Sequence, residues 1–502
     1  MRALNAGILP IKSPLAGPVL LAVSIIVYAS AIVAANGFAI DDAYISARYA
    51  KNLAVSGQLT WNVGESPKTE GYTSPLWVAV SSLLFFISGN SSFRLMQLTS
   101  MVFGVLTLLM LYALARRLHF SGCIAALPPL FLSLSYPFVL WSASGMENAL
   151  YTFLVLLGLY LVIDEEDKGL RYYTPLVLFL VFLTRTEGLV FYGAVVIVRC
   201  IKFILNINAE RDQMKKLLVW NAIFLSCFLA YMLWKIYYYG AILPLPVYVK
   251  KPAGLVGLAY VGDFLIYVAP FVLLALLGLR SGRTIKKVYL WAALGAYLLA
   301  ISFSNAGMGY DIRLLVAAFP LVYLIAVWEL ELLFNSARLN RANALLFIIV
   351  CFLSVVVVKH PGNYLDSLKG KAAASAAVLG KVQIPLGEWL HQQAKDGMKS
   401  VALADAGAIS FYFGGKTMDF YGLIDREIAH KGFSVRRILE RRPDYVILNS
   451  RNDTRFQGNY SPCGRMSEDI YASDPFRRHY SFVKQFVSHK PFYSLWVYER
   501  KF

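Results

Sequence analysis

The sequence predicts an α-helical polytopic membrane protein of about 11 transmembrane helices with a C-terminal extracytoplasmic α/β domain. Its 502 residues are 58% hydrophobic and only 16% charged, and the mean hydropathy of +0.56 is that of a chain with many membrane segments. Apolar runs of about 17–22 residues, enough to cross the hydrocarbon layer, recur through the first 359 residues. From about His360 polar residues return, broken by short strand-like runs. The expected domains are therefore 1–359 in the membrane and 360–502 outside it.

In chain order, the first run (17–36) has no small-residue cleavage site and continues into Asn36-Gly37-Phe38, so it reads as a retained span. Residues 37–94 form a first external loop. Asp41-Asp42 opens it, followed by Tyr44, Ile45, Tyr49 and Leu53 at helical spacing. That pattern predicts an amphipathic helix lying at the membrane surface and holding both carboxylates above the hydrocarbon. Residues 75–88 are apolar but too short to span, which predicts a re-entrant or interfacial helix. Further runs lie near 95–115, 122–140, 147–163, 172–184, 188–205, 217–238, 258–279, 288–304, 313–334 and 342–359.

Parity fixes the orientation. With Arg2 and Lys12 cytoplasmic and 75–88 not crossing, Arg116-Arg117, Lys168 and Arg171, Arg211 with Lys215-Lys216, the 280–287 loop, and Arg338 with Arg341 all fall inside. This obeys the positive-inside tendency, and one more crossing would reverse every later loop. The tail then lies outside, together with Asp41, Asp42, Glu70, residues 144–148, Arg185 to Glu187, residues 237–251, and Tyr310 to Arg313. Ionisable groups at span ends are costly unless they face a cavity or a partner, so six such segments on one face predict a shared polar site.

The tail holds a helical stretch at 388–395, a short buried strand at 401–404, a turn at 442–444 leading into another strand, and a last strand at 493–498. About 140 residues suffice for a small α/β domain with its own core.

Several function classes are excluded. The net charge of +18 invites nucleic acid, but the cations sit in short loops with no basic stripe among aromatics, so no nucleic-acid partner is expected. Of five cysteines only Cys463 lies in the polar tail, which leaves no disulfide framework and no C-x-x-C metal spacing. No P-loop or G-x-G-x-x-G stretch is present to cradle a nucleotide.

A polar cavity at a membrane face suits group transfer from a lipid phosphate. The attacking hydroxyl needs a carboxylate base, which Asp41 or Asp42 supplies. The departing phosphate needs cations, which Arg48, Arg185, Lys250 and Arg313 can supply. Developing positive charge at a sugar's anomeric centre also favours nearby carboxylates. Tyr44, Tyr72 and Trp77 could stack on a sugar or isoprene. The rival reading is a transporter or flippase of lipid-linked or small-molecule cargo. Against it, no inverted repeat stands out and the charges cluster at one end of the spans.

These residues also carry a resemblance. Residues 41–53, Trp61-Asn62-Val63-Gly64-Glu65 and Glu70-Gly71-Tyr72-Thr73-Ser74-Pro75-Leu76-Trp77 resemble the first external loop of GT-C glycosyltransferases. The nearest likeness is to the bacterial group that includes the terminal arabinofuranosyltransferases of mycobacterial cell walls. Lipid A aminoarabinose transferases and protein O-mannosyltransferases are more distant. The likeness continues at Ser144-Gly145-Met146-Glu147, at residues 183–188 and 238–250, and in the tail at residues 405–409, 419–425 and 443–445.

The resemblance implies a GT-C fold in a bacterial cytoplasmic membrane. It also implies a polyprenyl-phosphate-sugar donor, an envelope glycan, glycolipid or protein acceptor, and an inverting transfer that is metal-light or metal-free. A bound Mg or Mn could still be held by two acids and a donor phosphate. By family analogy Asp41 would be the base with Asp42 beside it, and Glu70 and Glu147 match acids of the relatives. Two departures stand out. Gly71 replaces the lysine that follows the glutamate in aminoarabinose transferases. Met308-Gly309-Tyr310-Asp311 replaces a Gly-Gly-Asp run, which weakens the expected role of Asp311.

Overall fold

The computed structural model describes residues 15–88, 92–205, 211–250, 255–277, 284–305, 309–335, 341–356, 363–394 and 399–501. Arg2, Lys12, Met308 and Arg338, used above, lie outside the described residues.

The fold is predominantly helical. Six helices among the described residues are long and apolar enough to cross a membrane: Ala16–Ala34, Phe93–Arg117, Asn148–Lys168, Gly188–Leu205, Asp212–Tyr239 and Ile285–Ser302. Two further apolar runs are bent pairs, Ile124–Leu134 with Tyr136–Ala143 at 63° and Val256–Tyr267 with Ala269–Leu276 at 86°. Pro137 and Pro270 follow the two breaks, and each lacks the N–H that would bond back across it. The remaining runs of the expected eleven are the helices Thr174–Thr184, Ala318–Asn335 and Asn343–Val356. All eleven runs are helical, but length and composition alone support six to eight crossings. Pro75–Ser88 is a 14-residue helix with the expected bounds.

The chain divides into two compact units. The first comprises Met1–Asn36, Gln97–Ala230 and Pro252–Lys369; the second comprises Gly37–Met96, Tyr231–Lys251 and Gly370–Phe502. The tail thus shares its unit with the first loop and a short stretch after residue 230.

In the first unit, charges gather at the two ends of the Asn148–Lys168 helix. Its C-terminal acids form a clamp. Asp164 binds Arg117 at 2.6 Å, Arg171 at 2.9 Å and Lys168 at 3.0 Å. Asp167 binds Arg117 and Lys286, both at 2.7 Å. Glu165 pairs with Arg199, and Glu166 with Lys202 at 2.5 Å. The ion pair Lys287–Glu329 is also buried in this unit. Helix ends that the sequence assigns to one membrane face are therefore tied together by direct ion pairs.

In the second unit, a five-stranded sheet has the order β2-β1-β3-β5-β4. The strands are β1 (Ser400–Leu403), β2 (Lys416–Asp419), β3 (Tyr445–Ser450), β4 (Tyr480–His489) and β5 (Phe492–Arg500). β2, β1 and β3 run parallel, while β5 pairs antiparallel with β3 and β4. The sheet is covered on both faces. Tyr445 and Ile447 of β3 join Leu386, Leu390, Ile409 and Val497 on one side. Val446 and Leu448 join Ile428, Ile438, Ile470 and Phe476 on the other. This is why 445–448 reads as a continuous apolar run and not as an alternating one.

Candidate active site

The first-loop helix Asp41–Ser56 begins at an extended Ile40 and ends at Gly57, whose φ of 69° stops it in the left-handed region. Two acids in its first turn agree with the helix dipole. Residues 43–50 are all buried, so the helix is enclosed by protein on more than one face.

Asp41 sits against the loop that follows β1. Its two carboxylate oxygens accept the backbone N–H groups of Gly407 at 2.9 Å and Ala408 at 2.7 Å. Ala408 starts the Ala408–Phe413 helix, so Asp41 caps a helix of the tail. Gly407 is required for the approach, because a methyl group there would overlap Asp41's own backbone oxygen. The acids Asp42 and Asp405 complete the cluster. Asp405 accepts from the Tyr493 hydroxyl and, at 3.3 Å, from Asn449. Burial first, and the charge of Asp405 second, push the Asp41 carboxyl up to about 7 against the pull of the two amides. Asp405 is raised by burial as well.

Arg48, expected to bind donor phosphate, has a different setting. It is 4% exposed, and its guanidinium donates to the carbonyls of Trp61 at 3.0 Å, Gly415 at 2.7 Å and Ser410. It also lies 4.5 Å over the Trp61 ring. These contacts make it a staple between the first loop and residues 410–415, with its donors already committed to the protein. Beside it, Trp61 donates to Thr417 at 2.6 Å, and Asn62 bonds both backbone groups of Thr417. The Trp-Asn-x-Gly-Glu block therefore fastens the loop to β2, and Glu65 closes it by accepting from Thr60 at 2.6 Å.

Glu70 is buried and forms an ion pair with Lys235 at 2.9 Å. Burial pushes its carboxyl up to about 7 in spite of that cation. Gly71 explains its own departure from the relatives' pattern. A Cβ there would lie 2.5 Å from Ile424 and 2.8 Å from the Leu423 carbonyl, leaving no room for a lysine. Lys235 was missed in the sequence reading, although a lysine inside the apolar run 217–238 is itself the signal. Lys250 is half-buried at the end of the short Leu245–Val249 helix.

Tyr44, Tyr72 and Trp77, expected to touch sugar or isoprene, lie in the interior. Tyr44 stacks on Phe93 at 3.9 Å between ring centroids. The Tyr72 hydroxyl meets that of Tyr239 at 3.0 Å, and Trp77 is fully buried. Each ring is in use as packing.

In the first unit a second polar group forms at the start of the Asn148–Lys168 helix. Arg185 joins Glu147 at 2.8 Å and Glu187 at 2.9 Å. Arg313 lies 5.3 Å over Trp141, its carbonyl accepts from Asn148 at 3.1 Å, and the Asp311 carbonyl accepts from Trp141 at 3.1 Å. Asp311 and Ile312 hold φ values of 48° and 57° in the turn Tyr310–Leu315, an uncommon backbone state for such residues. Glu147, Arg185, Asp311 and Arg313 are therefore gathered at the same end of this unit. The charge clamp lies at the other end of the helix, about 25 Å away at 1.5 Å per residue.

Among the described residues no three His, Cys, Asp or Glu side chains are arranged to hold a metal ion.

The architecture is that of the GT-C polytopic membrane enzymes, with several apolar spans and a small C-terminal sheet domain. Three solved structures that share this fold illustrate the likeness. ArnT from Cupriavidus metallidurans bound to undecaprenyl phosphate superposes with a TM-score of 0.59 at 12% identity, covering 96% of this chain and 97% of that one. The Archaeoglobus fulgidus oligosaccharyltransferase tethered to an acceptor peptide gives 0.57 at 13%, over 95% and 74% of the two chains. The arabinofuranosyltransferase AftD from mycobacteria gives 0.52 at 15%; 97% of this chain is covered, but only 40% of AftD. Residues 376–498 match a family described only as a domain of unknown function, DUF8728. No curated protein sequence matches the chain.

Proposed function

We propose that this protein is a membrane glycosyltransferase that moves a sugar from a polyprenyl-phosphate donor to an envelope glycan, glycolipid or protein. The transfer would take place on the outer face of a bacterial cytoplasmic membrane, with residues 360–502 outside. The observation that carries the reading is the carboxylate cluster at the start of the first-loop helix, in a chain with a GT-C fold. That fold favours transfer over the rival reading of a transporter or flippase.

In the reaction the acceptor hydroxyl attacks the anomeric carbon as the bond from that carbon to the phosphate oxygen breaks. Polyprenyl phosphate leaves with the bonding electrons, and the hydroxyl proton passes to a carboxylate. A single displacement inverts the anomeric centre. We propose Asp42 as the group that takes the proton, with Asp41 beside it as the latch that holds the tail through the Gly407 and Ala408 amides. Lys250, which shares the second unit with Asp41 and Asp42, is our candidate for phosphate contact. Arg185 is balanced by two acids and Arg48 by carbonyls. No step is routed through a metal.

The test is a transfer assay with the purified full-length protein in lipid bilayers, using radiolabelled polyprenyl-phosphate sugars and envelope extracts as acceptors. Acceptor-dependent release of polyprenyl phosphate is expected. A folded protein that consumes no lipid-phosphate sugar would sink the proposal. Mass spectrometry of envelope glycans, glycolipids and glycoproteins from a strain lacking the protein would identify the acceptor.

A further inference from the structure

Away from the carboxylate cluster, the second unit contains a long groove between residues 62–69 and the tail. It consists of two adjoining cavities of about 650 Å³ and 590 Å³ that share Glu65, Ser66, Pro67 and Arg426. Each has the size of a ligand site.

The acids of its walls are consumed internally. Glu65 accepts from Thr60, Asn62 and Thr69. Asp425 pairs with Arg441 and caps Ile428 at 3.1 Å. Glu427 is held by Arg441 at 2.5 Å and Lys431 at 3.3 Å. Three cations in the walls have no carboxylate in these pairings. Lys416 is exposed. Lys68 lies 3.9 Å over the Tyr238 ring. Arg426 makes a 3.3 Å bond to the Tyr239 carbonyl. The groove is therefore positive where it is open.

Its aromatic wall is rigid. The Tyr238 and Tyr239 hydroxyls bond the N–H and C=O of Leu59 at 2.8 and 2.9 Å. Next to them Tyr237 is 89% exposed and lines the same cavity. An exposed aromatic ring beside Lys and Arg suits the C–H face of a sugar ring carrying an anionic substituent. A neutral sugar would not need the cations, and a lipid tail would not suit walls so rich in polar groups.

We propose that this groove binds the acceptor, and that the acceptor there is a saccharide bearing carboxylate or phosphate groups. Calling the ligand an acceptor rests on the transferase reading; the binding itself does not.

The experiment uses the full-length protein in nanodiscs of zwitterionic lipid, probed with paired neutral, uronate-bearing and phosphate-bearing oligosaccharides. The anionic members should bind at least about tenfold more tightly than their neutral partners, the size expected of a charge-assisted hydrogen bond. Lys416→Gln with Arg426→Gln should remove that preference, and Tyr237→Ala should weaken all saccharides several-fold. Tyr237 and Lys416 are exposed, so their single variants test the groove even if the Arg426 variant unfolds. Equal binding of neutral and anionic sugars, no effect of the variants, or complete competition in a second set of discs that contain anionic phospholipid would each overturn the proposal. Saccharide binding that survives in a protein with no transfer activity would overturn the transferase reading and leave the groove standing.

Discussion

Asp41 and Gly407 meet through a carboxylate-to-amide hydrogen bond of 2.9 Å, and the neighbouring Ala408 amide adds a second at 2.7 Å. The first acid of the loop thus completes the carboxyl-end edge of the tail's parallel strands, where β1 turns into a short helix. This edge is where open α/β sheets ordinarily take a ligand. Here a side chain of the same polypeptide fills part of it.

The contact depends on a missing side chain. Gly407→Ala would drive a methyl group into Asp41's backbone oxygen, with backbone on both sides and little to relax. Overpacking of this kind costs about 1–3 kcal/mol. The expected outcome is a lower Tm and faster proteolysis between residues 370 and 502. Gly380→Ala, where a Cβ meets nothing within 4 Å, should change neither.

The latch should also respond to pH. Burial raises the Asp41 carboxyl from an ordinary 3.8 to about 7, so between those values the folded state holds a proton that the unfolded state has lost. Stability from this group is therefore fully present below about 4 and is lost as pH rises through about 7. The slope approaches about 1.4 kcal/mol per unit at most. Asp41→Asn cannot titrate and keeps only one acceptor oxygen. It should have a lower Tm at pH 5 and a flatter Tm-against-pH curve from 5 to 8. An unchanged slope would show that another group, such as Asp419, also raised to about 7 by burial, sets the profile.

Turnover should separate the two adjacent acids. Asp42→Asn removes the assigned base and should lower kcat by about 10²–10⁴-fold, with donor binding little changed. Asp41→Asn should act mainly through the tail, with a loss that parallels its instability and is partly recovered at low temperature. If Asp41→Asn abolishes kcat in a folded protein while Asp42→Asn does not, the assignments must be exchanged.

Arg48→Ala should behave as a structural lesion. It leaves the carbonyls of Trp61, Ser410 and Gly415 without their donor, at about 1–3 kcal/mol for each one that water does not reach. Arg48→Lys should rescue little, since an ammonium lacks the forked reach. Donor affinity per folded molecule, measured by titration with a polyprenyl phosphate, should stay near wild type. A selective loss of that affinity at normal Tm would restore Arg48 to the phosphate site.

The legible parts of the sequence were those set by local pattern. The helical state of the first loop, the 14-residue helix Pro75–Ser88 and the strands at 401, 445 and 493 follow from periodicity and run length, but the one-sided face expected of the first-loop helix does not hold, since residues 43–50 are all buried. β2 was not legible, because Lys416-Thr417-Met418-Asp419 offers one apolar residue and is buried through pairing with β1 and contacts to Trp61 and Asn62. β4 escaped because it is an edge strand with exposed Phe482 and Val483. Within the site, residue types signalled charge but not its partner. Arg48 reads alike whether it faces a phosphate or three carbonyls, and only long-range contacts to 410 and 415 distinguish them. The bends after Ser135 and Val268 were signalled by Pro137 and Pro270, yet counting apolar runs treats a broken helix as a straight span.

Sidedness can be tested on the Asn148–Lys168 helix alone. Its C-terminal clamp contains Arg117, Lys168, Arg171, Arg199, Lys202 and Lys286, and its N-terminal end contains Arg185, between two acids, and Arg313. The acids of the clamp neutralise much of its charge, but orientation follows the count of Lys and Arg and is little affected by Asp and Glu. The clamp end should therefore face the cytoplasm. In a cysteine-free background, Lys168→Cys, at a position with a 57% exposed side chain, should label with a membrane-impermeant thiol reagent only after the cells are opened. Thr186→Cys, exposed beside Arg185, should label in intact spheroplasts. The reverse pattern would invert the chain, carry the Glu147–Arg185 end to the cytoplasm, and remove the case for an outward-facing transfer.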